Sequence, residues 1–381
     1  MRYFTVTLET AGPVHIGSGK EISKKECLYV PKEKKIYIMD EKKMISRILA
    51  LGLQDKFTAY LMDGRQNNLL DFVNDCLISP AEYKKWAAYV LNDENAGNVK
   101  NSRSKGGGSD NVRAFVKDAY GCPYIPGSSL KGALRTIIQS RLVYDNYESF
   151  SSERRAVETE SFGNKAKYLS GPEKSITDRL FRTLERPDAK PGSAVCDIFS
   201  GLRISDSEPL SVNDLILCRK TDMLTDGKEN SISVKRECLR PGTKIKFSMT
   251  ADESIFKADT AKLLDCIDDF YDRYRNDYLA AFPESAEYSA KKGEHLMYLG
   301  GGSGYATKTT VYPMYDDIDR AVETVQKIMV NTTSTKKDGD LHRHRDDLRL
   351  HEVSPHTLKI AVIGGKKYEM GLCRIDISEK A

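Results

Sequence analysis

The sequence predicts an α+β fold, in which short β-runs and amphipathic helices follow one another without a strict alternation. Three observations carry this reading. Residues 3–8, YFTVTL, alternate apolar and polar side chains, the period of a half-buried strand. Two short β-runs, ECLYV and IYIMD, flank the polar PKEKK within 26–40, a hairpin pattern. Helical spacing then follows at once in DEKKMISRILALG (40–52), with Asp40 placed as N-cap and Gly52 at the end. Strand, glycine loop, hairpin and helix is the order of neither a doubly wound parallel sheet nor a β-sandwich.

Helical pattern continues through 55–91, including AEYKKWAAYVL (81–91). The next stretch, NDENAGNVKNSRSKGGGSD (92–110), has almost no apolar side chain and a GGG run, the composition of a mobile linker. NVRAFVKDAY (111–120) reads as a strand, 150–186 as a second helical stretch, and RPDAKPG (186–192) as a connection between domains. Beyond it, 194–206, 214–224 and 231–252 read as strands, with Pro241, Gly242 and Thr243 in a tight turn. Residues 259–282 carry Leu263, Leu264, Ile267, Phe270, Tyr271 and Tyr274 at helical spacing. HLMYLGGGSGYATKT (295–309) is a strand running into a glycine loop, and LKIAVIGGKKYEMGLCRIDI at the end reads as strands. Each half is thus expected to hold a sheet of about four strands with helices on one face. The expected domains are 1–190 and 191–381, in line with ~100–200 residues per domain.

The composition limits the function classes. With 40% hydrophobic and 30% charged residues the chain buries a core beneath a polar surface. No apolar run approaches the ~18 residues of a membrane helix. The opening MRYFTVTLET lacks the basic-then-apolar order of a secretory signal, so a cytoplasmic protein without a membrane partner is expected. Eight cysteines are scattered with no CxxC pair, which fits neither a zinc ribbon nor a disulfide framework. The net charge of +4 is mild, but its cations cluster. One group is Lys100, Arg103 and Lys105. A second is Arg219, Lys220, Lys228, Lys235, Arg236, Arg240, Lys244 and Lys246. A third is Lys336, Lys337, Arg343, Arg345 and Arg349. Such clusters fit an anionic partner as well as ordinary solvated faces.

IPGSSLKGALRT (125–136) has the form of a loop feeding a helix. Leu130, Ala133, Leu134, Ile137, Ile138 and Leu142 form an apolar stripe, while Lys131 and Arg135 share another face. Ser128 or Ser129 is placed to cap the helix, and Gly127 lets a ligand approach the backbone. A phosphate there meets free N–H groups, two hydroxyls and two cations. The spacing from Gly127 to Gly132 imitates a nucleotide-binding P-loop. Ala133 and Leu134 stand where that motif needs Lys and Ser or Thr, so triphosphate chemistry is excluded.

GGGSGYATKT (300–309) is a second phosphate-type loop, with N–H groups at Gly300, Gly301, Gly302, Ser303 and Gly304 and a cation at Lys308. The threonines and Val311 after it favour extended chain, which argues against a dinucleotide motif. GPVHIGSGK (12–20) adds Gly17, Ser18 and a lone histidine, His15, a candidate for acid–base work on RNA or for a contact. HRHRDD (342–347) resembles part of a metallohydrolase signature but lacks its last histidine, and reads as a solvated charged loop. No Ser/His/Asp order, HExxH or carboxylate pair marks a catalytic site, and no metal or cofactor is expected.

Four of these segments in order, VTLETAGPVHIGSG, YIPGSSLKGALRT, KRECLRPGTKIKFSM and YLGGGSGYATKT, resemble the RAMP superfamily of CRISPR effector proteins. With the closing GLCRIDI, they most resemble the fifth subunit of the type III-A Csm complex. The resemblance spans nearly the whole chain, and only 53–110 and 331–347 match nothing in it. It implies two ferredoxin-like, RRM-related modules with helical insertions and glycine-rich loops. It implies an RNA-binding subunit, not an enzyme, that ends the filament of repeated backbone RAMP subunits at the CRISPR RNA 3′ region. It further implies a part in maturing that end, with recruited host nucleases, in antiviral defence. Related backbone subunits cut target RNA with a loop aspartate, and no Asp occurs here before Asp40. The RNA-binding set is then His15, Gly17, Ser18, Gly127, Ser128, Ser129, Lys131, Arg135, Arg236, Gly300, Gly301, Gly302, Ser303, Gly304 and Lys308. The alternative is a CRISPR-RNA-processing endoribonuclease using His15.

Overall fold

The computed structural model describes residues 1–63, 68–93, 111–164, 167–190, 192–283, 294–333 and 342–380. The linker expected over 92–110 lies almost wholly outside them, as does much of 331–347. In chain order the first strands are β1 (Arg2–Thr10), β2 (Gly17–Ile22), β3 (Cys27–Val30), β4 (Lys35–Met39), β5 (Ala87–Asn92) and β6 (Val112–Phe115). They are followed by β7 (Leu202–Ile204), β8 (Leu215–Leu224), β9 (Glu229–Leu239) and β10 (Lys244–Ala251). The last are β11 (Leu296–Tyr298), β12 (Thr357–Ile363), β13 (Lys366–Glu369) and β14 (Leu372–Glu379). The helices are α1 (Glu41–Ala50), α2 (Gln54–Met62), α3 (Leu69–Asp75), α4 (Pro80–Tyr83) and α5 (Gly127–Asp145). They continue with α6 (Ser151–Glu158), α7 (Ser170–Leu180), α8 (Thr260–Asp277), α9 (Ile318–Thr333) and α10 (Asp347–His351).

The N-terminal strand sits near the centre of the first sheet. β1 runs antiparallel to β10 on one side and β14 on the other, and the sheet order is β11-β14-β1-β10-β7. The period-two alternation points Phe4, Val6 and Leu8 inward, all fully buried. Against them lie Leu130, Leu134 and Ile137 of α5 and Leu263, Ile267 and Phe270 of α8, in one core with Ile245, Phe247 and Met249 of β10. The helical stripes read from the sequence are therefore core faces. Along the chain this unit runs β1, α5, β7, β10, α8, β14, and its strands interleave in the order β14-β1-β10-β7.

The second sheet has the order β13-β12-β8-β9-β6-β2. Its backbone is the long β8–β9 hairpin, which turns at Gly227, where a φ of 82° suits a residue without Cβ. β6 joins β9 in parallel. Both large sheets take strands from either side of residue 190, so the boundary expected there does not divide the sheets. A third, three-stranded sheet, β3-β4-β5, packs on α1–α4 around Trp86, which is fully buried. α1 begins as expected, with the Asp40 carboxylate accepting from the Lys43 N–H at 3.1 Å.

Several expectations are corrected. Residues 81–91 are not one helix: α4 and a 3-10 turn end at Trp86, and β5 pairs with β4. Burial along Ala87–Asn92 alternates, a period of two hidden under residues that also suit a helix. The strand expected over 111–120 stops at Phe115, and the 12–20 loop already becomes β2 at Gly17. Residues 150–186 split into α6 and α7. HRHRDD is not a solvated loop, because His344 and Asp347 are buried.

A buried carboxyl couples this fold to pH. Glu369 is fully enclosed, accepting from Tyr298 Oη at 2.5 Å and Tyr274 Oη at 3.4 Å. Burial outweighs these bonds and pushes its pKa up to about 6. Because the folded value is raised, the stability the group contributes is present below the unfolded pKa and is lost as pH rises through about 6. The Glu369→Gln variant is expected to reduce the stability drop between about pH 5 and pH 8 by roughly 1 kcal/mol. Urea midpoints of both proteins at the two pH values measure this, and equal drops contradict it.

Candidate nucleic-acid interface

α5 starts at Gly127, earlier than the serine caps predicted. Its N-cap is Pro126, no side chain caps it, and Ser128 and Ser129 fall in the first turn. The Gly127 N–H donates to Asp206 Oδ1 at 2.9 Å, so a carboxylate of the protein itself meets the helix start. A Cβ on Gly127 would sit 2.2 Å from the Ile204 carbonyl oxygen, so the glycine serves close packing on β7. Lys131 Nζ donates to the Leu202 carbonyl at 2.6 Å, and burial pushes its pKa down. Arg135 pairs with Asp197 at 2.7 Å and lies over the rings of Phe181 and Phe199, 4.5 and 5.0 Å from their centroids. Both cations face β7 and its flanks. The sequence shows that they project together, but not that a neighbouring strand and loop take them up. Replacing Arg135 by Ala is expected to cost about 1–3 kcal/mol of stability. It should leave the salt dependence of RNA binding unchanged, and a shallower slope in filter binding would return Arg135 to the RNA site.

The other side of α5 faces the second glycine loop. Ser129, Gly132, Ala133 and Thr136 line a cleft of about 270 Å³ with Gly300, Thr307 and Lys308. The 300–304 loop in turn rests on the 12–17 loop. Gly301 N–H donates to the His15 carbonyl at 2.7 Å, and a Cβ on Gly300 would lie 2.4 Å from that oxygen. Gly300, Gly302 and Gly304 have φ of 82°, 95° and 104°, a backbone open only to glycine at little cost. Ser303 is buried and accepts the Thr307 hydroxyl at 3.0 Å, while Lys308 Nζ donates to the Gly300 carbonyl. The loop is thus held in shape before any ligand arrives.

His15 lies at the junction, 5% exposed, with Nδ1 on the Glu237 carbonyl at 2.7 Å. Burial holds its pKa below the usual histidine range, so the ring is neutral near pH 7. Its Nε2 comes 3.2 Å from where a Cβ on Gly17 would be, and that glycine and Ser18 are exposed. Arg236 lies beside the same loop. It is 7% exposed, and its Nε is 4.0 Å from the Cβ position of Gly302. Its Nη1 is buried and has no hydrogen-bond partner among the described residues. Burial, then the neighbouring Arg113, pushes its pKa down.

Sequence reasoning singled out Arg236 but not its companions. Lys359 Cγ lies 3.4 Å from the Cβ position of Gly304, and Lys359 and Lys220 share Asp222 at 2.9 and 3.7 Å. Burial and Lys359 push Lys220 down to about 8. Cations that disfavour one another in this way form an electropositive floor beside N–H-rich loops, suited to a polyanion. The only signal in the sequence was the basic run through β8 and β9. The structure therefore brings together His15, Gly17, Arg236, Gly300–Gly304 and Lys308, reaches Ser129 across the cleft, and turns Lys131 and Arg135 away.

A model of the RAMP superfamily matches residues 7–305, from β1 through both glycine loops. The chain belongs to the RAMP superfamily. Among RAMP relatives, the CRISPR system Cms protein Csm5 of Mycobacterium tuberculosis is 30% identical over 403 residues, which cover 99% of this chain and 98% of that protein. The CRISPR system Cms protein Csm5 of Streptococcus thermophilus is 29% identical over 383 residues, with the same 99% and 98% coverage. A chain from the cryo-EM structure of a Csm-crRNA-target RNA ternary complex in a type III-A CRISPR-Cas system aligns with a TM-score of 0.62 at 18% identity. It covers 98% of this RAMP chain and 100% of that chain. The crystal structure of T. onnurineus Csm5 gives a TM-score of 0.54 at 18% identity, covering 97% and 99%. At these identities the two structures show a shared RAMP fold.

Proposed function

We propose that this protein is an RNA-binding subunit of a type III-A CRISPR effector ribonucleoprotein. In this reading it grips the CRISPR RNA by its phosphates on the surface of His15, Arg236 and Gly300–Gly304. It caps the filament of repeated backbone RAMP subunits at the RNA 3′ region and takes part in maturing that end, with recruited host nucleases doing the cutting. The observation that carries the reading is Arg236, a buried guanidinium beside a glycine loop whose Nη1 has no hydrogen-bond partner among the described residues. Leaving such a group unpaired costs free energy that a bound phosphate oxygen recovers. The full-length Csm5 relatives supply the biological setting. The β1-α5-β7-β10-α8-β14 unit supports a ferredoxin-like module, although one assembled from both ends of the chain.

We read the subunit as non-catalytic. The His15 ring is tied at Nδ1 and almost wholly buried, and the cations that bear on it, Arg236 and Arg113, do not exchange protons near neutral pH. Endonucleolytic acid–base chemistry needs a second proton carrier at that position. The maturation role is tested by sequencing CRISPR RNA from the assembled complex with and without this subunit. Longer, uneven 3′ ends in its absence are expected, and unchanged ends contradict the role.

A further inference from the structure

The HRHRDD stretch has no part in the RNA surface, yet the fold gathers it tightly. Four of the chain's six histidines meet around one carboxylate. His344 and His356 stand 4.9 Å apart between ring centroids, His351 stacks on His356 at 4.6 Å, and His342 lies 6.0 Å from His344. Asp347, at the centre, has no exposure, while His344 and His356 are 5% and 7% exposed. His344 Nδ1 meets Asp347 Oδ2 at 2.9 Å, His356 Nδ1 meets Oδ1 at 2.6 Å, and the Ser354 hydroxyl donates to Oδ2 at 2.6 Å.

We propose that His344, Asp347 and His356 form a structural site for a Zn²⁺-class transition-metal ion. Candidate ligand atoms of the three residues lie within 4.8 Å of one another. Two imidazoles and one carboxylate are a donor set for Zn²⁺, Co²⁺ or Ni²⁺, whereas Ca²⁺ and Mg²⁺ require oxygen ligands. Tetrahedral ligands at ~2.0–2.1 Å from a metal stand about 3.3 Å apart, so His344 and His356 open from Asp347 by about 0.4 and 0.7 Å, and ligand atoms as far apart as 4.8 Å draw together, when an ion enters. The Ser354 hydroxyl or a water completes the fourth position. A hydrogen-bonded knot without metal is the competing account, and it leaves the convergence of histidines from both sides of α10 without a purpose.

The location gives the site a role. His356 immediately precedes β12, which carries Lys359 to the glycine loop at Gly304. A metal joining α10 to the start of β12 would fix the approach of that lysine.

The test uses the full chain, stripped with a chelator and titrated with Zn²⁺ in competition with a chromophoric chelator. One Zn²⁺ per chain at sub-micromolar affinity is expected, with a Tm that rises with Zn²⁺ concentration. Co²⁺ should give the intense visible band of a four-coordinate site. The His344→Gln variant, or His356→Gln if the first does not fold, is expected to lose at least tenfold in affinity, while His295→Gln is expected to match the wild type. Absence of stoichiometric Zn²⁺ on the wild-type chain overturns the proposal without any variant. Undiminished affinity in the folded His344 or His356 variant also overturns it.

Discussion

Replacing Arg236 by Met is expected to weaken binding of CRISPR RNA by about 10–100-fold, the span of one charge-assisted hydrogen bond. It should also make the plot of log K against log salt shallower by about 0.7, one single-strand phosphate contact. Methionine fills much of the space of the side chain without its charge, so a melting curve near that of the wild type separates lost contact from lost fold. Lysine should restore only part of the affinity, because a point charge lacks the planar fork of a guanidinium. The effect is large because Arg236 is already desolvated: it is 7% exposed and its Nη1 has no hydrogen-bond partner among the described residues. The cost of stripping water from it is met on folding. Unchanged affinity and slope in filter binding would take Arg236 out of the site.

The Glu237→Ala variant is expected to lose about 3–5 kcal/mol of stability, as removing one partner of a buried ion pair does. Glu237 has no exposure. Its Oε1 accepts from Tyr89 Oη at 2.6 Å, and its Oε2 accepts from the Phe115 N–H at 2.8 Å and from the Lys117 ammonium. These partners belong to β5, β6 and the segment after β6, so one carboxylate joins the small sheet to the six-stranded one. The carbonyl of the same residue holds His15 Nδ1. Alanine strands the Phe115 N–H in a dry environment and leaves the partly buried Lys117 ammonium without its carboxylate. Gln keeps an acceptor and should cost less. Urea unfolding measures both, and a loss below about 1 kcal/mol for the Ala variant contradicts this reading of the network.

Much of the fold was legible where a single element decides its own pattern. β1 alternates, α5 and α8 carry unbroken apolar stripes, and Asp40 caps α1 as its position suggests. β5 was not legible, because AEYKKWAAYVL suits a helix locally and becomes a strand only by pairing with β4. The candidate interface was half legible. The 300–304 glycine loop announces itself, but its seat against the 12–17 loop comes only from the fold. The contacts of Lys131 and Arg135 were not legible, because Leu202 and Asp197, which take them up, come from a distant part of the chain. Lys220 was legible only as one of a basic run, and Lys359 carried no local signal, since only the sheet brings β8 and β12 side by side. The histidine cluster was hidden by its own charge: a stretch as polar as HRHRDD reads as solvated until the fold buries Asp347 between two imidazoles.

The central claim is that RNA is held at the paired glycine loops and not along the cationic face of α5. Hydrogen exchange on the protein with and without bound CRISPR RNA tests it most directly. Slowed exchange is expected at the amides of 12–18 and 300–304, with no change at Lys131 and Arg135. Slowed exchange at Lys131 and Arg135 with none at 300–304 would contradict the claim.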